Sequence, residues 1–447
     1  MRRHFARATI VGSLLGLLVG CSLLTDLSGL SGGPDPCVGA ACLDATGDAP
    51  PSAIDGGDAS CVPSKVDPLL LSDAVSLALG DSFTCALRAT GTVACWGANA
   101  AEQLGAPGAN RSTPASVPGL SGIIAITAGA AFACALDGGG EVWCWGDDAV
   151  GQLGNGRIEA GPHPPAKVTA GDGKSLGKVT AIAAGDRHAC AATEGTLVCW
   201  GANDKLQLGG SMNALVPTPV AGIVNPTELV LGGEYSCVIS DDPASSKRMS
   251  CWGSNGDYQL AYTGANTSAP QGIPLKLAAA GAYPIATAGW GHACARDEAS
   301  SLWCWGENDY GQLGPGLTPG PPVAALQRFT SVGAVRMAAA GDDFSCIVGT
   351  DGSVRCLGEN GASQLGNGEL DVNPDGGGTA PHPTPTLVIG LPPVERVSTH
   401  NSHACAILAH PCPAAGGPVM CWGSNGSGEL GGGSTNASRV PVSVRAP

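Results

Sequence analysis

The chain has 447 residues, with 69 glycines, 34 prolines, 4% aromatic residues, 13% charged residues and a formal net charge of −15. Roughly twice the usual share of glycine with so little charge describes many short strands joined by tight turns, and no long 3.6-residue periodicity marks amphipathic helices. The acidic balance excludes nucleic acid and anionic lipid surfaces as partners of the folded body.

Residues 1–20 read as a signal peptide. A basic start with Arg2, Arg3 and Arg7 precedes the apolar run "ATIVGSLLGLLVG", which is too short to remain as a membrane span. The run ends in Leu18-Val19-Gly20-Cys21, which resembles the bacterial lipobox. That resemblance implies lipid attachment at Cys21, export to the cell envelope and, with Ser22 following, an outer-membrane lipoprotein held to the membrane through its lipid alone. Removing the three arginines leaves 19 basic residues against 37 acids, a net charge of −18.

Residues 21–64 are small, polar and rich in Gly, Pro and Asp, with no pattern that buries a face. Asp44, Asp48, Asp55 and Asp58 do not have the spacing of a calcium loop, so the segment reads as a solvated tether.

Residues 65–447 hold seven repeats. Aligned on their first cysteine they start at Cys85, Cys134, Cys190, Cys237, Cys294, Cys346 and Cys405, with a ring two residues earlier at Phe83, Phe132, His188, Tyr235, His292, Phe344 and His403. C-W-G follows in six copies and Cys356-Leu357-Gly358 in one; then comes Gln-Leu in six copies, with Glu429-Leu430 in the last. About 50 residues of short strands make one propeller blade of four antiparallel strands. The pattern "AGxxHxCAL…GxVxCWGxNxxGQLG" resembles the regulator of chromosome condensation repeat family, which implies a seven-bladed β-propeller. Small residues in "AITAG", "AIAAG", "IATAG" and "MAAAG" suit innermost strands near a crowded axis. The tail "SRVPVSV" echoes "STPASV" at 112–117, so Val440 to Val444 is expected to join the first blade and close the ring without a free edge.

Within each repeat the two cysteines flank a glycine-rich turn, and Cys134 and Cys144 are equidistant from Gly139, which makes them cross-strand neighbours within reach of a disulfide. The expected bonds are Cys85–Cys95, Cys134–Cys144, Cys190–Cys199, Cys237–Cys251, Cys294–Cys304, Cys346–Cys356 and Cys405–Cys421, as fits an exported protein. Of the other cysteines, Cys37 is paired with Cys42 and Cys61 with Cys412 in this reading.

Nothing in the sequence calls for a metal or cofactor. Paired cysteines spread round a ring do not form a zinc site, no nucleophile, phosphate or dinucleotide motif is present, and histidines interchangeable with Phe or Tyr read as packed rings. One pattern suggests a binding site. The residue after the inner-strand glycine is read as Asp81, Ala130, Asp186, Glu234, Trp290 and Asp342, with Asn401 in the seventh copy. Around an axis these positions gather four acids and a tryptophan at one mouth, a site for a basic or amphipathic partner; capping of local turns by each acid is the competing reading.

The chain therefore reads as a monomeric, non-enzymatic binding scaffold that offers its loops to a protein or glycan. The family resemblance also implies two precedents, a nucleotide-exchange factor on chromatin, which an export signal argues against, and a secreted β-lactamase inhibitor. An envelope enzyme acting on polysaccharide through paired carboxylates is the remaining alternative.

Overall fold

The computed structural model describes residues 67–447 except 159–162, 211, 242–246, 262–268, 277–282, 370–379 and 411–414. The described residues form seven four-stranded antiparallel sheets and no α-helix. In the first sheet β1 (Ala74–Leu79), β2 (Phe83–Arg88), β3 (Val93–Gly97) and β4 (Arg111–Ser116) lie side by side in chain order. The other six sheets repeat that order, and their first strands touch in cyclic sequence, with the seventh meeting the first. The fold is the expected all-β, seven-bladed propeller.

The apolar core lies between blades. Phe83, Leu87, Val93 and Leu104 of one blade pack with Ile123, Ile126, Ala133 and Trp145 of the next. The C-W-G tryptophan staples each seam. Trp96, Trp145, Trp200, Trp252, Trp305 and Trp422 are wholly buried, and each indole N–H donates to the carbonyl of the preceding blade's Gln103, Gln152, Gln207, Gln259 or Gln364, or of Glu429, at 2.7–2.9 Å. In the sixth blade Leu357 has no indole N–H, and the Gln312 carbonyl accepts from the Ser345 hydroxyl instead. The glycine of the motif turns back on itself with φ near +100°, and a Cβ on Gly97 would lie 2.4 Å from the Ser82 carbonyl oxygen.

A second column of residues keys the seams in two ways. The ring two residues before the cysteine sits against the following blade's residue just before its cysteine. His188, His292 and His403, all 0% exposed, bond through Nε2 to the hydroxyls of Ser236, Ser345 and Thr84 at 2.8–3.0 Å. Those hydroxyls donate onward to backbone carbonyls of Gln207, Gln312 and Glu429, so each imidazole is the donor through Nε2–H. Where the ring is Phe83, Phe132, Tyr235 or Phe344, the corresponding residue of the next blade is Ala133, Ala189, Ala293 or Ala404. The histidines are packed seam residues.

The register places each cysteine pair directly opposite across its hairpin, Cys134 facing Cys144 and Cys346 facing Cys356. All seven pairs are disulfide-bonded with Cα–Cα distances of 4.0–4.1 Å. Such bonds persist in oxidising compartments. Cys21, Cys37, Cys42, Cys61 and Cys412 lie outside the described residues, as do the signal peptide and tether. Replacing Cys405 and Cys421 together by Ala is expected to cost about 3 kcal/mol, measured by denaturant unfolding as a lower midpoint, because that hairpin closes the longest loop of the seven.

Ring closure differs from the expectation. The C-terminal strand, Ser438–Ser443, is the outer strand of the seventh blade and does not join the first. The reason is repeat phase: "STPASV" lies in the fourth strand of the first blade, so its echo at the tail is the fourth strand of the last. The N-terminal lead-in provides the closure. Leu71 N–H donates to the Val444 carbonyl at 3.0 Å, Ala446 N–H to Leu69 at 2.8 Å and Val419 N–H to Leu71 at 3.2 Å, while Ala74 and Gly417 exchange bonds. Leu71, Ala74, Trp96, Val419 and Val444 fill the core of this seam.

Candidate acidic mouth of the axial channel

Each inner strand ends in a turn against the axis, and in six of the seven blades the ring side chain packs onto a glycine there. A Cβ on Gly80 would lie 2.0 Å from Phe83 Cε1, and one on Gly232 would lie 2.0 Å from Tyr235 Cε1. The next residue is tied to the neighbouring blade by its backbone. Asp81 N–H donates to Ala130 O and Ala130 N–H to Asp186 O, both at 3.0 Å, and Asp186 N–H donates to Gly233 O at 3.1 Å. This collar fixes the positions from which side chains meet the channel.

The axial cavity, about 610 Å³ including its open mouth, is walled by small residues such as Ala128, Ala184, Ala288 and Ala340 and rimmed by Asp186, Trp290, Asp342 and His400. Asp81 joins the rim through His400 Nε2, 3.1 Å from its Oδ1. Glu234 does not line the cavity. The fourth blade carries Gly232-Gly233, and Gly233 occupies the collar position, which moves Glu234 one residue on to an exposed ion pair with Lys205 at 3.7 Å. Asn401 supplies backbone: its N–H donates to Asp342 Oδ1 at 3.1 Å and its carbonyl accepts from Asp342 N–H. Neither contact caps a local turn, since both span blades.

His400 is not among the residues that the sequence pattern singles out. It stands where the other six repeats have glycine, and that departure is the visible signal. The inner strand of the seventh blade runs on to His400, paired with His403, and turns through Asn401 at φ 44°. Burial opposes charge on the His400 imidazole, but the Asp81 hydrogen bond and the charges of Asp342, Asp186 and Asp81 outweigh it and raise its pKa to about 9. The group is thus an imidazolium at neutral pH. Asp81 is correspondingly held low by His400 against the opposing effect of burial. Asp186 is pushed up to about 6, by burial first and then by the charges of Asp342, Asp81 and Glu234 over the opposing pull of His400.

Acidity extends outward on the same end of the blades. Burial, then Asp343, Asp257, Asp309 and Asp342, raise the Glu307 carboxyl to about 8; burial, then Glu359 and the neighbouring acids, raise Asp343 to about 7. The described residues contain no cluster of His, Cys, Asp and Glu with metal-holding geometry and no helix long and apolar enough to cross a membrane.

These features define a closed, disulfide-bonded repeat propeller with an acidic axial mouth. The RCC1-like domain model matches residues 43–375, and the chain belongs to that family. Among curated relatives it is 28% identical over 275 residues to the mouse secretion-regulating guanine nucleotide exchange factor, covering 55% of this chain and 57% of that protein. It is 27% identical over 309 residues to the ultraviolet-B receptor UVR8 of Arabidopsis thaliana, covering 66% and 63%. The human E3 ubiquitin-protein ligase HERC2 matches at 27% over 60% of this chain, but over 5% of its own length. The chain thus spans less than two-thirds of each of these relatives. Yeast RCC1 (Prp20), solved bound to Kap60, superposes with a TM-score of 0.66 at 20% identity, covering 88% of this chain and 91% of that one. Human WBSCR16 gives the same score and identity over 80% and 95%. At that identity the structures establish the fold.

Proposed function

We propose that this chain is a non-enzymatic binding scaffold that captures a protein partner on the acidic end of its propeller, exported and anchored by lipid at Cys21. The carrying observation is the mouth itself. Asp186, Asp342 and a 43% exposed Trp290 sit on a collar fixed by backbone bonds between blades, within a ring whose every blade has its central hairpin crosslinked. A rigid rim with one exposed aromatic anchor among charges has the chemistry of a protein-binding hot spot. The seven disulfides and the lipobox-like Leu18–Cys21 support the compartment. The guanine nucleotide exchange activity in the mouse relative's name belongs to that protein; an inhibitor of a secreted enzyme remains a binding function of the kind proposed here.

The test is capture of envelope proteins by the tagged chain and by a Trp290→Ala, Asp186→Ala variant. Capture of a discrete partner should fall at least about tenfold in the variant, as expected for loss of an anchor residue. Equal capture by both would remove the mouth from the proposed function.

A further inference from the structure

Three acids meet at the rim, and they are not equivalent. Asp81 has its own counter-ion in His400. Asp342 accepts the Asn401 N–H. The Asp186 carboxylate takes no hydrogen bond or ion pair from any described residue, and Arg187, next in the chain, is exposed and does not pair with it. It is nevertheless half-buried, with Asp342, Asp81 and Glu234 adding to the cost of its charge.

Beside it lies the exposed indole. The point where Gly233 would carry a Cβ is 3.0 Å from Asp186 Oδ2 and 2.6 Å from Trp290 Cδ1, so carboxylate and ring edge share the gap that a glycine leaves. The gap is specific to this blade. Three departures from the repeat coincide here: glycine at the collar position of the fourth blade, tryptophan at that of the fifth, and histidine for glycine in the seventh. The third supplies the ion pair that occupies Asp81 and leaves Asp186 as the acid without a partner. A desolvated carboxylate next to an open aromatic face recognises an organic cation with an apolar stem, through charge-assisted hydrogen bonds to the carboxylate and cation–π and methylene contacts to the ring.

We infer that the axial mouth is a socket for one alkylammonium or guanidinium group, seated against the Asp186 carboxylate and the Trp290 indole where the two close over Gly233. This rests on the binding reading above and names the chemistry that the partner presents. A basic side chain of a docked protein and a free polyamine share that chemistry.

The experiment is calorimetric titration of the purified chain with Nα-acetyl-lysine methylamide, its uncharged norleucine analogue and spermidine. The lysine probe should bind saturably at one site and the norleucine probe should not. Asp186→Asn should weaken the lysine probe at least about tenfold, and Trp290→Leu should also weaken it. Asp351→Asn, in a hairpin turn at the other end of the blades, should leave affinity unchanged and confirm that a surface carboxylate does not act by net charge alone. Tighter binding of the lysine probe than of spermidine assigns the socket to a protein side chain; the reverse assigns it to a free amine. Failure of both cations to bind overturns the socket, as does equal affinity in Asp186→Asn. If a captured partner still depends on Trp290 while no cation binds, the socket fails and the scaffold stands. If cations bind but capture ignores the mouth, the scaffold reading fails instead.

Discussion

Truncation after Gly433 is expected to destabilise the propeller as a whole. The cut removes the outer strand of the seventh blade, Ser438–Ser443, and with it Val444, which is 0% exposed in the seam between the last and first blades. Losing that buried side chain costs about 1.5–3 kcal/mol. The bonds of Leu71 to Val444, Ala446 to Leu69 and Val444 to Val419 go as well, at about 1 kcal/mol net each. A combined loss above about 4 kcal/mol is a large share of the stability of any domain. The cut also leaves Val419–Gly423 as a bare edge, open to pairing with a second chain. Chemical denaturation should show a single transition at a much lower midpoint, and Val444→Asp should move it the same way. An unchanged midpoint in the truncated chain would show that the ring does not depend on its clasp.

The second large effect concerns the histidine keys. Ser236→Ala removes the acceptor of the buried His188 Nε2–H and should destabilise the chain by about 1–3 kcal/mol, although the Gln207 carbonyl keeps the Trp252 N–H. Adding His188→Phe converts the seam to the pairing that Phe132 and Ala189 already use, and stability should return close to that of the parent. The same pair of variants separates the pH dependence. Burial lowers the pKa of His188 and His403 to about 3 and that of His292 to about 4. These groups stay neutral in the fold while the unfolded chain takes up protons near pH 6.5, so their stabilisation is complete above about pH 6.5 and is lost as pH falls toward 3–4.

The acidic end has the opposite sign. His400 at about 9, Glu307 at about 8, Asp343 at about 7 and Asp186 at about 6 hold protons in the fold that the unfolded chain releases, so their contribution is lost as pH rises through those values. Stability should therefore climb from pH 9 to about 6, flatten while the two sets oppose each other, and fall below about 4. Between pH 6 and 4 the double variant should gain on the parent by about 1.4 kcal/mol per pH unit, the value of one buried histidine that no longer has to stay neutral. Parallel pH profiles for the two proteins would refute the keys as acid-sensitive elements.

The repeats were legible in the sequence because their signature residues recur, and the hairpin register followed from cysteines placed symmetrically about glycine turns. Blade phase was not, since a circular array gives the same period from any starting strand; only the partner of Ser438–Ser443 shows where one blade ends. The mouth was half legible. Asp81, Asp186, Trp290 and Asp342 lie where the pattern puts them, but Gly232-Gly233 offers two candidates for one glycine, and choosing the second of them shifted the fourth blade to Glu234. His400 was hidden by reading its repeat as conforming when it had lost its glycine. The keys relate residues 48 or more positions apart, such as His188 and Ser236, and emerge only when one repeat's ring column is compared with the next repeat's hydroxyl column.

Among the described residues each disulfide joins cysteines 9–16 residues apart, and none links one blade to another. Each of these seven crosslinks can accordingly close as soon as its own hairpin forms, without waiting for a cysteine of another repeat. A chain made only in part would already carry finished, non-interlocked loops, with only the closing seam of the ring left to form.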